Sequence, residues 1–265
     1  MSLLPILFLA ALQSAFEYFP VSSSAHLLIA AELMGLSESL LIDVTLHLGT
    51  LIAVIIYFRR ETSDFIRYLL TPINNQNSNN KEFNNGLIIA SVPIVLVGGI
   101  AFATGYADIL RNLQVIGLST IIFGLLLYFA DIKKNTLDSK LNKLTFKKSL
   151  IIGIFQCFAI IPGASRSGVV YSGARLMGLN RTDSLKFSMI LSIPVIAISS
   201  TIPLFEIYKN PIDIEYSYLL LGFVVSFLIA YLSIGILLKW VERFTMKPFV
   251  IYRIIFGSVI LIYFV

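Results

Sequence analysis

Long apolar runs separated by short polar connections dominate the chain from end to end. A helix needs about 20 predominantly apolar residues to cross a hydrocarbon core of roughly 30 Å. Six segments suit that role, at about 41–58, 86–104, 114–131, 184–203, 217–238 and 249–265. Two further apolar stretches, 3–19 and 148–161, each stop at a proline, Pro20 and Pro162, and pass through clustered hydroxyls into a second stretch that closes at Gly35 or Gly178. A half-helix of about 14 residues, such as Ser22 to Gly35, rises only ~21 Å and falls short of a crossing. Both hairpins are therefore expected to dip into the bilayer and return, with their backbone amides satisfied by protein or by water in a cavity. The stretch Leu3 to Leu12 imitates a secretion signal but lacks a basic leader, and it is expected to be retained structure.

The two hairpins repeat one another. Setting Gln13 against Gln156 places Ser22-Ser23-Ser24 on Ser165-Arg166-Ser167, and Ala31-Glu32-Leu33-Met34-Gly35-Leu36 on Ala174-Arg175-Leu176-Met177-Gly178-Leu179. Each half would hold one re-entrant hairpin and three spans, and an odd number of crossings inverts the second half relative to the first. The expected fold is an all-α polytopic membrane protein with six transmembrane spans and two re-entrant helical hairpins in an inverted repeat. It forms a single domain over 1–265, with halves of approximately 1–131 and 148–265 joined by a basic loop, 132–147.

Composition supports a membrane class, because 57% hydrophobic and 13% charged residues exceed what a soluble core needs. In a soluble domain a net charge of +5 would suggest nucleic acid, but here it is read loop by loop. Arg59, Arg60, Arg67 and Lys81 follow the first span, Lys133, Lys134, Lys140, Lys143, Lys147 and Lys148 the third, and Lys239, Arg243 and Lys247 precede the last; these loops are expected in the cytoplasm. The 105–113 and 205–216 loops, with Arg111 and Lys209, are expected outside. The first hairpin then enters from outside past Ser37-Glu38-Ser39 and the second from the cytoplasm, so their tips meet near the midplane. A single cysteine, Cys157, excludes an internal disulfide and a cysteine metal cluster.

The polar residues of the hairpins carry the candidate chemistry. Gln13 and Glu17 stand four apart on one helix face, where they can share a divalent cation, position a water or simply bond neighbouring helices. A carboxylate inside a membrane is a functional candidate by default. Ser22, Ser23 and Ser24 follow Pro20 at a helix start, where hydroxyls and unpaired amides make an anion site. His26, three residues after Ser23, is one turn away and a candidate base or acid for its hydroxyl. In Gly163-Ala164-Ser165-Arg166-Ser167-Gly168 an arginine lies between two serines and two glycines, a pattern that lets backbone and guanidinium approach a phosphate. Buried Arg166 needs a counter-charge, either Glu17 at rest or a bound diphosphate. Arg175 and Lys186 are read as snorkelling or anion-steering residues, His47 as a packing histidine, and Arg253 as paired with Glu242 or a carbonyl.

The set of motifs resembles the bacitracin-resistance family of undecaprenyl-diphosphate phosphatases. The resemblance rests on Gln13-x-x-x-Glu17, Phe19-Pro20-Val21-Ser22-Ser23-Ser24-Ala25-His26, His47-Leu48-Gly49-Thr50 and Gln156 leading to the Pro162–Gly168 block, and it spans nearly the whole chain. It implies an enzyme of the cytoplasmic membrane, with its active site facing the outer side, that removes the terminal phosphate of a polyprenyl diphosphate and so recycles a lipid carrier for envelope glycans. It implies Ser23, Glu17, His26 and Arg166 as catalytic residues, with Ser23 the candidate nucleophile, and Ser22, Ser24, Gly163, Ser165, Ser167 and Gly168 around the phosphates. Glu17 and Gln13 would organise a divalent cation, Mg²⁺ or Ca²⁺. The expected partners are the lipid substrate and the bilayer, not nucleic acid, with a homodimer left open. One departure stands out: Val170 occupies a position where the family usually has threonine, with Tyr171 and Ser172 as candidate substitutes for the lost hydroxyl. A transporter or flippase on the same scaffold is the competing reading.

Overall fold

The computed structural model describes residues 3–36, 39–71, 80–133, 141, 144–209 and 215–264, and among these every regular element is helical. The order is α1 (Leu3–Phe16), α2 (Ser23–Leu33), α3 (Leu40–Tyr57), α4 (Arg59–Leu70), α5 (Lys81–Ala103), α6 (Tyr106–Ile109), α7 (Leu113–Ile132), α8 (Phe146–Cys157), a 3₁₀ turn (Phe158–Ile160), α9 (Arg166–Leu176), α10 (Arg181–Lys209), α11 (Tyr216–Arg243) and α12 (Lys247–Tyr263). Five helices, α3, α5, α7, α10 and α11, contain segments long and apolar enough to cross a membrane. These coincide with the first five expected spans. The sixth expected span falls on α12, a helix of 17 residues, and its last residue, Val265, lies outside the described residues. So do residues 37–38, 72–79, most of the basic 132–147 loop and 210–214.

Large apolar side chains such as Leu96, Ile100, Phe129, Ile236 and Ile255 stand exposed on the outer faces. That is the surface of a protein whose solvent is lipid, because in water such a surface would aggregate. The polar residues turn inward instead. Gln13, Ser14, Thr50, Thr120, Gln156, Ser188, Ser192 and Arg253 are all buried.

The chain breaks at matching places. Between α1 and α2 the non-glycine residue Ser22 takes φ 72, and between the 3₁₀ turn and α9 the equivalent Ser165 takes φ 68. After each short helix a glycine turns left-handed, Gly35 at φ 62 and Gly178 at φ 97. Packing runs crosswise between helices apart in the chain: α1 lies on α11, α8 on α5, α3 on α11 and α10, and α7 on α12. In the last pair, small residues let the backbones approach, since a Cβ on Gly257 would stand 2.8 Å from the carbonyl oxygen of Gly117. The short helix α2 packs against α7 and α12, and α9 packs among α7, α8 and α10.

Candidate active site

The two breaks face each other. Glu17, just past the end of α1, accepts at Oε1 a bond from Arg166 Nη2 at 2.8 Å, across from the second break. Its other oxygen, Oε2, accepts from Ser23 Oγ at 2.8 Å and from Gln13 Nε2 at 3.2 Å. The expected neighbours Glu17, Ser23, Gln13 and Arg166 are therefore in one cluster. A second contact ties the tips, because Ser167 Oγ donates to the carbonyl of Phe19 at 2.9 Å. Arg166 also reaches the carbonyl of Ser188 on α10 at 3.3 Å. A carboxylate so enclosed is stable only because every oxygen is engaged by a donor or cation.

The serines at each helix start form matching pairs, Ser22 with Ser24 and Ser165 with Ser167, with Oγ atoms 3.2 Å apart in each. Ser165 caps α9 by accepting from the amide of Gly168 at 3.3 Å, whereas Ser22 leaves the start of α2 without a side-chain cap. Uncapped amides at a helix N-terminus attract anions. Ser24 is exposed and Ser23 half-buried, so this end of the cluster is open.

Gly163 and Gly168 both stand in close contact with neighbouring helices. A Cβ on Gly163, which has φ +91, would stand 2.2 Å from Ser119 Oγ and 2.6 Å from the carbonyl of Ile116, so this glycine lets the tip press against α7. A Cβ on Gly168 would meet Arg253 Nη1 at 3.1 Å. Hydroxyls of α7 secure the tip further, Ser119 to the carbonyl of Pro162 and Thr120 to that of Gly163.

The two histidines find partners other than those read from the spacing. The carbonyl of Ser22 accepts from His26 Nδ1 at 2.7 Å, which leaves Nε2 to accept from the Tyr252 hydroxyl at 2.5 Å. The ring lies flat on Phe256, with centroids 4.2 Å apart. Neither nitrogen bonds Ser23, so the pairing read from the three-residue spacing is absent. His47, set aside as packing, lies at the cluster instead: its Nε2 is 3.7 Å from Glu17 Oε2 and its side chain is 34% exposed. The only sequence signal for it was the His47–Thr50 motif, whose threonine carbonyl accepts from buried Tyr18 beside Glu17 at 2.7 Å.

Other expectations also change. Arg175 does not snorkel; it is buried and donates to the carbonyl of Leu179 at 2.6 Å and to that of Asp131 at 3.2 Å. Lys186 pairs with Glu61 at 2.5 Å. The substitutes for a threonine at buried Val170 are committed elsewhere: Ser172 donates to the carbonyl of Gly168 and Tyr171 to Asp131. Asp131, unremarked in the sequence because it ends a span, collects Tyr171, Arg181 and the amide of Met246 into a buried knot between α7, α9, α10 and the start of α12. Arg253 ignores Glu242 and bonds only carbonyls.

A divalent cation can be tested against these donors. Among the described residues no group of three or more His, Cys, Asp or Glu assembles. Gln13 Oε1, however, is buried without a hydrogen-bond partner, next to the Glu17 carboxylate. One carboxylate and one amide oxygen fit a hard cation of the kind that takes its remaining ligands from water and substrate phosphates.

Taken together, the fold and site define an all-helical, multi-pass membrane protein with a carboxylate, a hydroxyl and a guanidinium gathered where two broken helices meet. The family described as Bacitracin resistance protein BacA matches residues 6–259, and the chain belongs to it. An undecaprenyl-diphosphatase of Pelagibacter ubique (strain HTCC1062) is 41% identical, covering 98% of this chain and 97% of its own length. Undecaprenyl-diphosphatase 1 of Pseudoalteromonas translucida (strain TAC 125) is 37% identical over 99% of both chains. A further undecaprenyl-diphosphatase, from Alteromonas mediterranea, is 38% identical over 98% of each.

Proposed function

We propose that this protein is an integral membrane phosphatase that hydrolyses an undecaprenyl-type polyprenyl diphosphate to the monophosphate and inorganic phosphate. The observation that carries the reading is the Ser23–Glu17–Arg166 chain, in which a hydroxyl and a guanidinium share one carboxylate at 2.8 Å each. The full-length similarity to undecaprenyl-diphosphatases supports the same substrate class.

Phosphoryl transfer needs little beyond positioning and charge. The bond from the bridging oxygen to the terminal phosphorus breaks, and its electron pair stays with the departing polyprenyl monophosphate. A new bond forms from phosphorus to the nucleophilic oxygen, whose proton passes to a base. Ser23 is the candidate nucleophile, since its hydroxyl already donates to Glu17; water then releases the phosphate and restores the serine. Arg166 serves as the clamp, because a diphosphate offers its guanidinium a stronger acceptor than the Ser188 carbonyl. Ser22, Ser24, Ser165 and Ser167 stand in pairs at the two helix starts, placed to bond the phosphate oxygens. His26 buttresses the first tip through the Ser22 carbonyl, and a direct part in proton transfer would require its release from Tyr252. A cation held by Glu17 and Gln13 would neutralise phosphate charge.

In this reading the matching breaks and crosswise packing express an inverted repeat. The helices α1–α2 and α8–α9 form re-entrant hairpins, and α12 supplies the sixth crossing. The site opens to the outer face of the cytoplasmic membrane, and the polyprenyl tail lies along apolar grooves between spans. Phosphate release from a polyprenyl diphosphate by purified protein is the test. Wild type should release it in detergent, and Arg166→Ala should lower the rate by about 10² to 10³, the usual cost of a lost charge-stabilising donor.

A further inference from the structure

Among the described residues Arg253 is the largest fully buried side chain, at 0% exposure, and the phosphoryl transfer does not use it. Its three nitrogens meet four backbone carbonyls and no carboxylate: Nε donates to Thr120 at 3.1 Å, Nη1 to Pro20 at 3.0 Å, and Nη2 to Gly163 at 2.9 Å and Ala164 at 3.1 Å. Burying a guanidinium this way is costly, and a methionine or leucine would fill the volume without that cost. The acceptors indicate what the charge accomplishes. Pro20 lies two residues before Ser22, and Gly163 two residues before Ser165, so the acceptors on the two tips are equivalent positions of the two breaks. Both breaks hold a serine at positive φ, a conformation that a residue with a Cβ keeps only where its surroundings hold it.

We propose that Arg253 is a positioning residue that latches the two broken helices together and so sets the distance between Ser23 and Arg166. Only a planar fork with several fixed donors bonds carbonyls from three segments at once. A lysine at the same place keeps the charge but presents one nitrogen, which cannot span Thr120, Pro20 and Gly163 together. Gly168 belongs to the same device, since any Cβ there would press on Arg253 Nη1 at 3.1 Å. A misplacement of about 1 Å between reacting groups can cost on the order of 10²-fold in rate. The latch therefore acts on turnover, through the geometry of groups it does not touch.

This inference rests on the phosphatase reading for its kinetic arm alone. The variant is Arg253→Lys in the full chain, purified in detergent, with phosphate release from undecaprenyl diphosphate and hydrogen–deuterium exchange measured in parallel. The expected result is a kcat lower by about 10- to 100-fold with KM within about threefold of wild type. Exchange should rise at residues 19–24 and 162–168 but not across α3 and α11. Added guanidinium should restore part of the kcat of Arg253→Ala. Wild-type kcat in Arg253→Lys, or faster exchange spread evenly over all helices with no guanidinium rescue, overturns the latch. If wild type itself releases no phosphate, the phosphatase reading fails, while the exchange arm still decides whether Arg253 holds the tips.

Discussion

Glu17 is where the site closes, because Arg166, Ser23 and Gln13 all bond its carboxylate and His47 lies 3.7 Å away. Two predictions belong to this residue. Glu17→Ala leaves Arg166 as a buried, uncompensated cation, and removing one partner of such a pair costs about 3–5 kcal/mol; a fall in melting temperature should accompany loss of activity. Glu17→Gln keeps the shape and one acceptor oxygen, which can still take the Arg166 bond, but it loses the charge and turns the other oxygen into a donor. It should stay folded while phosphate release falls by about 10² to 10⁴, the range general acid–base groups contribute. Retention of half the wild-type rate by Glu17→Gln would remove Glu17 from the chemistry. Much of this cluster was legible from residue type alone: a carboxylate and an arginine in apolar surroundings must find partners, and the Gln13–Glu17 spacing sets both on one face. The histidines were not legible. His26 is one helical turn from Ser23 in sequence, but its ring is drawn away by Tyr252 and Phe256, which come from a helix far along the chain.

The short helices behave as elements because their ends are fixed from outside. Gly163 makes the clearest case, since a Cβ there would overlap Ser119 Oγ at 2.2 Å and φ is +91. Gly163→Ala should unfold several degrees below wild type in a detergent melt, with strain and clash together of at least ~1–3 kcal/mol. Gly99→Ala in α5 is the control: nothing lies within 4 Å of the added Cβ, and alanine favours a helix interior by about 1 kcal/mol. It should melt no lower than wild type. Equal melting of the two variants would contradict the packing described. The breaks themselves were readable, because Pro20 and Pro162 end one apolar run and the repeat of serines marks the next helix start. What fastens them was not, since Ser119, Thr120 and Arg253 lie on distant helices and look like isolated polar residues within apolar spans.

At the scale of the whole molecule, hydropathy located the long spans well because lipid allows few alternatives to a helix. The Asp131 knot and the crosswise packing needed coordinates, since both join residues distant in sequence. The positive loops predict orientation. With Cys157 replaced by serine, a cysteine at exposed Lys147 should resist an impermeant thiol reagent in intact cells, whereas one at exposed Tyr216 should react. The opposite pattern would invert the topology and have the first hairpin enter from the cytoplasm. The central claim is that the meeting of the two breaks is a catalytic centre, and phosphate release in detergent from purified wild type, Glu17→Gln and Arg166→Ala tests it most directly. The account predicts release by wild type without a sealed membrane and a loss of at least about 10²-fold in both folded variants. Equal rates in all three proteins, or no release by any, would contradict it.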